Sequence, residues 1–553
     1  METNPTVTDS EAATTPAPQP VGPAPATTRR HRPWWVWLLP SGLMALVLYA
    51  VNAGGLGTPL YERSDQGANS ILIEQARRFT LLIGIYSRTH VNHPGPAYLY
   101  PRAWTEQIFW ATAHWVPTAF NGQLIAVYAM NAVFVAFVVV IAYGWTQRLR
   151  TVLVCLAVVF IFAYAHPPIF SSDWLSYSYV PTYFAFLVAV ASVAAGRIKD
   201  LWIMVVTGWF LLEGHAAFLL FVPVLSFAAL VGLAWPRRHR LGAALRSFFA
   251  RYRATWISAL VISAVFALPM VINLILHWPG PWPKYLSLSG SHGGGHVVPT
   301  ARQLVTFMLW FWKPLHHGVT PAHVSWLIPL VAYLVAGAAT AKFTRGPVRR
   351  FLTWLLVVNT LSILLVLVFA DKGLTEVNAA NYYVCYFYWS APAIMLLVAG
   401  LAVAEALPQK VTITAVAAVV AAAAVVAFGL APDTNTLNVD NNAFDPALPH
   451  AVSVLAARAP GKTIVIRPTH SAWPELVGFL AQAERTNVSA CVNDSSWTFM
   501  VTSQFICTPQ QVANGVPYTF LAVKQAPPGT PVLALMGTTI ATNETGLVSG
   551  PTG

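Results

Sequence analysis

Between Tyr61 and Tyr100 the chain gathers Asp65, Glu74, Arg77, Arg78, Arg88, His90 and His93, a dense set of ionisable groups for a protein that is only 9% charged. The chemistry open to such a set is narrow. A carboxylate such as Asp65 can take the proton from a hydroxyl nucleophile as a bond forms, while guanidinium and imidazole groups can hold an anionic leaving group. On a helix beginning near Gln66, Glu74 stands three and four residues from Arg77 and Arg78, so one face carries a carboxylate and two cations. The same spacing also describes an ordinary ion-paired, solvated face. His93-Pro94-Gly95-Pro96 follows as a rigid break that presents His93 from a fixed turn, or that simply stops a helix.

The elements that must position these residues are membrane helices. A chain of 553 residues that is 56% hydrophobic has more apolar surface than one water-soluble globule can hide, so it needs lipid as its solvent. Runs long enough for helices that cross about 30 Å of hydrocarbon are predicted near 34–54, 121–145, 151–165, 180–196, 200–213, 216–235, 254–277, 324–342, 351–370, 386–406 and 411–430. Residues 1–33, rich in Pro, Thr and Ala, have the composition of a disordered tail, ending in Arg29, Arg30, His31 and Arg32. The apolar segment from Trp34 is too long for a signal peptide and has no convincing cleavage site.

The net charge of +12 lies in short clusters between the spans: Arg148/Arg150, Arg197/Lys199, Arg237 to Arg253, Lys342 to Arg350, and Lys410. No continuous basic and aromatic face is formed, which argues against nucleic acid as a partner. With the N-terminus cytoplasmic, every cluster falls inside, as expected for a multi-pass protein of the plasma (inner) membrane. The outside then receives loops 55–120 and 278–323, shorter loops bearing Asp173, Glu213-Gly214-His215 and Asp371-Lys372, and residues 431–553. Interfacial helices are predicted near 67–80 and 99–114 in the first loop and near 301–312 in the second. Beyond Leu430, strand-like segments at 463–466, 518–524 and 531–540 with a helix at 473–485 predict a small α/β domain. In an oxidising compartment Cys491 and Cys507 would form a disulfide there, free thiols being the alternative. The expected fold is thus an α-helical polytopic membrane protein: a cytoplasmic tail (1–33), a transmembrane domain of about eleven helices (34–430) and an extracytoplasmic α/β domain (431–553).

The order of first span, loop with Ser64-Asp65, interfacial helices and Asn92-His93-Pro94-Gly95-Pro96-Ala97-Tyr98 resembles the actinobacterial, arabinofuranosyltransferase-like branch of the GT-C glycosyltransferases. The resemblance covers the topology of the first 430 residues and, at motif level, Ser64-Asp65 through Tyr100. It implies a membrane glycosyltransferase that moves a sugar, arabinofuranose first and mannose second, from a polyprenyl-phosphate donor to a glycan, glycolipid or glycoprotein of the cell envelope. An acidic residue of the first outside loop is the general base in that superfamily, and Asp65 is the matching position.

Candidates to hold the donor phosphate or substrate are Glu74, Arg77, Arg78, Arg88, His93, Glu213, His215, Lys284, His296 and Lys372, with Asn381, Tyr382 and Tyr383 able to stack on or bond a sugar. The C-terminal domain would help bind the acceptor. No cofactor is expected: His316-His317 with His323, and His292 with His296, have ligand-like spacing, but the outside loops lack Asp-x-Asp and the lipid-phosphate branch generally works without a metal. A transporter or flippase for a lipid-linked intermediate is the alternative. It would bury ionisable groups near the bilayer midplane, whereas these spans are nearly free of them. An inactive partner in polymer assembly also fits the composition.

Overall fold

The apolar runs become helices in the computed structural model, which describes residues 33–87, 91–235, 250–280, 283, 285, 300–313, 325–373, 379–430 and 444–543. In chain order these are α1 (Trp35–Gly57), α2 (Ser64–Arg77), α3 (Leu99–Thr105), α4 (Ala119–Thr146), α5 (Leu149–Ala165), α6 (Pro168–Ser171), α7 (Leu175–Ala194), α8 (Leu201–Gly214) and α9 (Phe218–Ala234). They continue as α10 (Arg253–Leu276), α11 (Ala301–Trp310), α12 (Leu327–Phe343), α13 (Gly346–Gly373), α14 (Ser390–Ala406) and α15 (Gln409–Leu430). Among the described residues, six helices are long and apolar enough to cross a membrane, including Ala119–Thr146, Leu175–Ala194 and Arg253–Leu276. Their outer faces fit that solvent: Leu260, Val265 and Ile275 on α10 are 68%, 64% and 72% exposed, an arrangement stable in hydrocarbon and costly in water.

The bundle has two polar ends. At one, Arg148 and Arg150 meet Glu405 at 2.8 and 3.3 Å, and Arg197 pairs with Asp200 at 3.6 Å. At the other stand the first loop, the turn after α8 and the C-terminal domain. Asn121, in the first turn of α4, organises this second end: its Nδ2 donates to the carbonyls of Gly55, Leu56 and Thr58 at 3.0–3.1 Å. Its neighbour Thr118 donates to Leu60 O at 2.8 Å, which fixes the chain as it leaves α1.

Two first-loop expectations change. Helix α2 starts at Ser64 rather than near residue 67, because Asp65 in its first turn and Arg77 in its last both complement the helix dipole. Nor does it lie at the interface: Gln66 through Glu74 are buried, packed between the bundle and the C-terminal domain. The second helix does not run regularly from 99 to 114; α3 passes into a π-helical segment, Glu106–Thr112. The Glu106 backbone presses on α4 there, so that a Cβ on Gly122 would stand 2.9 Å from Glu106 Cα.

The C-terminal region folds as a five-stranded sheet in the order β4-β3-β5-β7-β6: β3 (Ile464–Pro468), β4 (Ala490–Val492), β5 (Val516–Ala522), β6 (Ala534–Met536) and β7 (Thr539–Asn543). Strand β3 pairs in parallel with β4 and β5, while β7 runs antiparallel to both β5 and β6. Helices α16 (Leu448–Arg458) and α17 (Trp473–Arg485) pack on it through Leu448, Leu455, Leu476, Phe479 and Leu480. A disulfide joins Cys491 to Cys507. A separate two-stranded hairpin, β1 (Tyr86–Ser87) with β2 (Val91–Asn92), rises from the first loop.

Candidate functional site

Asp65 stands in the first turn of α2. Its carboxylate receives the Tyr86 hydroxyl from hairpin strand β1, and its Oδ2 receives Trp174 Nε1 at 3.2 Å from the start of α7. The next residue, Gln66, donates to Asp173 Oδ1 at 3.5 Å. The pair Asp65-Gln66 thus meets the pair Asp173-Trp174. Asp173 is buried beside an equally buried arginine, Arg102, whose Nη2 donates to Asp173 O at 2.7 Å and whose Nη1 lies 3.9 Å from Oδ2. Burial raises the Asp173 carboxyl to about 6 although Arg102 opposes the shift. Asp173 Oδ2 and Arg102 Nε are buried polar atoms without a hydrogen bond in the structure, so the site carries unspent polar capacity.

The hairpin links Asp65 to a second cluster. Its register sets Tyr86 opposite Asn92, and His93 N–H then donates to Ile85 O at 2.7 Å. The Pro-Gly-Pro break seats the following backbone against the end of α8: Gly95 N–H donates to Glu213 O at 3.1 Å and Ala97 N–H to Glu213 Oε2 at 2.9 Å. A side chain at residue 95 is excluded, since a Cβ there would stand 2.5 Å from Glu213 Cγ. The His93 and His215 rings meet at a tilt of 36° with centroids 4.2 Å apart. Each Nδ1 accepts a backbone N–H, from Ala216 at 3.3 Å and Ala217 at 3.1 Å, which leaves the proton of each neutral ring on Nε2. Burial, with His215 adding to it, holds His93 well below the usual imidazole range, and burial lowers His215 to about 4. The pair therefore offers neutral N–H donors at physiological pH. Glu213 Oε1 is buried without a hydrogen bond.

An aromatic wall continues from Trp174. Trp174 stacks on Tyr383 at 5.5 Å, Tyr177 on Tyr386 at 4.8 Å, and Trp310 of α11 lies 5.9 Å from Tyr386 and 5.1 Å from Trp389. Such faces suit sugar rings or unsaturated hydrocarbon. A small apolar crevice lies among α5, α6, α7 and α14, lined by residues such as Val158, Phe162, Phe170, Phe184 and Ala393.

Glu74, Arg77 and Arg78, expected to hold substrate, have protein partners instead. Arg77 Nη1 lies 3.0 Å from Glu74 and 3.1 Å from Glu106, and Arg78 Nη2 lies 2.7 Å from Glu484. Arg485, from the last turn of α17, reaches into the same place and pairs with Glu62, with Glu74 at 3.2 Å and with Glu106 at 3.5 Å. Burial works to raise Glu74, but the cations Arg485 and Arg77 hold it below its ordinary value; Glu106, deeper and beside Glu74, is raised to about 8 by burial against the pull of Arg485. This buried ion network joins the first loop to the C-terminal domain.

Arg88, Lys284 and His296 lie outside the described residues, as do His292, His316, His317 and His323, and the Lys372 side chain is likewise outside them. Among the described residues no group of three or more His, Cys, Asp or Glu side chains is placed to hold a metal ion. Sequence reasoning missed Tyr86, Trp174, Gln66, Arg102, Glu106 and Arg485. Arg102 carried the clearest signal, a charge in an aromatic stretch directly after the Pro-Gly-Pro break; Arg485 reads in sequence as ordinary charge at a helix C-terminus.

No family model matches the sequence, and no curated protein matches it. Solved structures to which the chain is similar include the crystal structure of ArnT from Cupriavidus metallidurans bound to undecaprenyl phosphate, at 15% identity and a TM-score of 0.45, with 94% of this chain and 100% of that chain covered. Another is the crystal structure of the Archaeoglobus fulgidus oligosaccharyltransferase in the apo form, at 11% identity and a TM-score of 0.36, with 89% of this chain and 70% of that chain covered.

Proposed function

We propose that this protein is a membrane glycosyltransferase of the GT-C kind, transferring a sugar from a polyprenyl-phosphate donor to an acceptor hydroxyl on the outer side of the plasma membrane. The observation that carries the reading is the placement of Asp65: a carboxylate at a helix N-terminus, received by the neutral donors Tyr86 and Trp174 and set beside an aromatic wall at the polar end of an apolar bundle. A lipid-borne donor requires its chain in hydrocarbon and its phosphate and sugar at such an end. Asp65 takes the proton of the acceptor hydroxyl as that oxygen bonds the anomeric carbon, and the polyprenyl phosphate leaves as an anion. The Nε2–H groups of His93 and His215 supply hydrogen bonds to that anion. Arabinofuranose is the first choice of sugar and mannose the second.

Among the described residues, the charged side chains of the apolar helices stand near helix ends, as Arg150, Glu213, Arg253, Lys342 and Glu405 do, an arrangement that favours chemistry at the rim over transport through the midplane. The test is to incubate the purified protein and its Asp65→Asn variant with a panel of polyprenyl-phosphate sugars and an envelope acceptor, following donor consumption. The wild type should consume one donor, and the variant should lose about 10³-fold in kcat. An Asp65→Asn protein with wild-type turnover would remove the base assignment, and consumption of no donor would remove the reading altogether.

A further inference from the structure

The residues on either side of Asp65 are gripped by the C-terminal domain at three points. Upstream, Glu62 forms an antiparallel bridge with Phe444, and Asp445 N–H donates to Tyr61 O at 2.8 Å. Next, Arg63 Nη1 pairs with Glu475 at 2.8 Å; Glu475 is fully buried and also receives Thr538 N–H at 3.2 Å and the Thr539 hydroxyl at 3.1 Å. Downstream, α2 and α17 touch backbone to backbone at Gly67 and Gly478. A Cβ on Gly67 would stand 2.9 Å from Gly478 N, and one on Gly478 would stand 2.6 Å from Glu62 O and 3.2 Å from Arg63 Cα. Neither position accommodates a side chain without moving the backbone opposite.

Between these grips Ser64 sits at φ +56°, the left-handed region that a residue with a Cβ seldom adopts. Such a conformation persists when its surroundings over-determine it, and here they do so from both sides. A domain that only captured an acceptor would be attached equally well through exposed ion pairs such as Arg78–Glu484. Backbone contact within two residues of the carboxylate serves orientation, and displacement of a reacting group by about 1 Å costs about 10²-fold in rate.

We propose that the C-terminal domain aims Asp65, with Gly67, Gly478, Arg63 and Glu475 as positioning residues; this rests on Asp65 being the base. The domain thereby belongs to the catalytic apparatus, whatever it contributes to acceptor binding. The seam is made by residues between Phe444 and Thr539 of the same chain, so the base cannot be set until they have folded onto α2.

The experiment uses the full-length protein in detergent with decaprenyl-phosphate-linked arabinofuranose, or the panel donor that the wild type consumes. Gly478→Ala should lower kcat about 10- to 100-fold with donor KM within about twofold. Glu475→Gln, which keeps the side-chain shape and removes the charge facing Arg63, should lower kcat about 3- to 10-fold. Either change combined with Tyr86→Phe, which loosens Asp65 directly, should cost less than the product of the single losses. Leu455→Ala in the C-terminal core, which destabilises the same domain, should keep wild-type kcat below its unfolding temperature.

Wild-type kcat in both Gly478→Ala and Glu475→Gln overturns the proposal. So do losses that multiply fully with Tyr86→Phe, or a Leu455→Ala enzyme whose kcat falls as far as that of Gly478→Ala. Full activity in Asp65→Asn instead overturns the assignment of the base on which the proposal rests.

Discussion

Helix α2 carries two carboxylates to opposite surroundings. At its N-terminal turn Asp65 is met by a phenol and an indole; nine residues on, Glu74 is met by two arginines and shares them with Glu62 and Glu106. Charge answered by charge makes a joint, because removing either partner leaves a buried ion uncompensated. The difference teaches that one helix can carry a carboxylate against aromatic donors at one end and into an ion network at the other, a distinction that residue type alone cannot make.

The largest effect should come from breaking the joint. Arg485→Met strips the cation from Glu62, Glu74 and Glu106 and should cost about 3–5 kcal/mol, read as a large fall in the thermal unfolding midpoint in detergent. An unchanged midpoint would mean that the network does not hold the two domains together.

The pH dependence of stability separates two carboxylates of the ion network, Glu106 and Glu74. Glu106 is raised to about 8 by burial, so between its unfolded value near 4.5 and that value the folded state holds a proton the unfolded state has released. Stability therefore falls as pH rises across this window. Glu74 is lowered, and its contribution is present above the ordinary carboxylate range and lost as pH falls through the lowered value. Glu106→Gln should flatten the decline between pH 4.5 and 8, measured as unfolding midpoint against pH. A decline as steep as in the wild type would assign it to other groups.

At the Asp65 end the same kind of cut should leave stability nearly intact and reach activity. Tyr86→Phe removes one hydrogen bond to the carboxylate and should lower kcat about tenfold, the equivalent of about 1.4 kcal/mol, with the midpoint unchanged. If the midpoint falls and kcat does not, Asp65 belongs with Glu74 as a structural group. The smallest effect is expected at Arg78, which is 57% exposed in its pair with Glu484. Arg78→Ala should cost about 0.5 kcal/mol or less, and a larger loss would extend the joint to the surface.

Much of the architecture was legible in the sequence because lipid imposes length and polarity on each segment separately. The helices Ala119–Thr146, Arg253–Leu276 and Gln409–Leu430 lie within a few residues of the spans expected from hydropathy, as does the helix Trp473–Arg485 in the C-terminal domain. The short strand Ala490–Val492 escaped, since three residues between turns give no periodic signal. Asp65 stands out in the sequence as a candidate through its place after the first span, and Glu213 and His215 through being polar at the end of an apolar run.

What tertiary structure alone decided is which charges find one another. Glu74 and Arg485 are separated by 411 residues, and Asp65 and Trp174 by 109, distances over which composition and periodicity carry no information. Sequence set the solvent, the helix lengths and the polar end of the bundle, because those follow from burying apolar surface and backbone hydrogen bonds segment by segment. Folding then placed a glycine of the C-terminal domain against the backbone beside Asp65 and an arginine of that domain against Glu74. Contacts of that kind depend on how distant segments pack, and they give Glu74 and Asp65, on one helix, different surroundings.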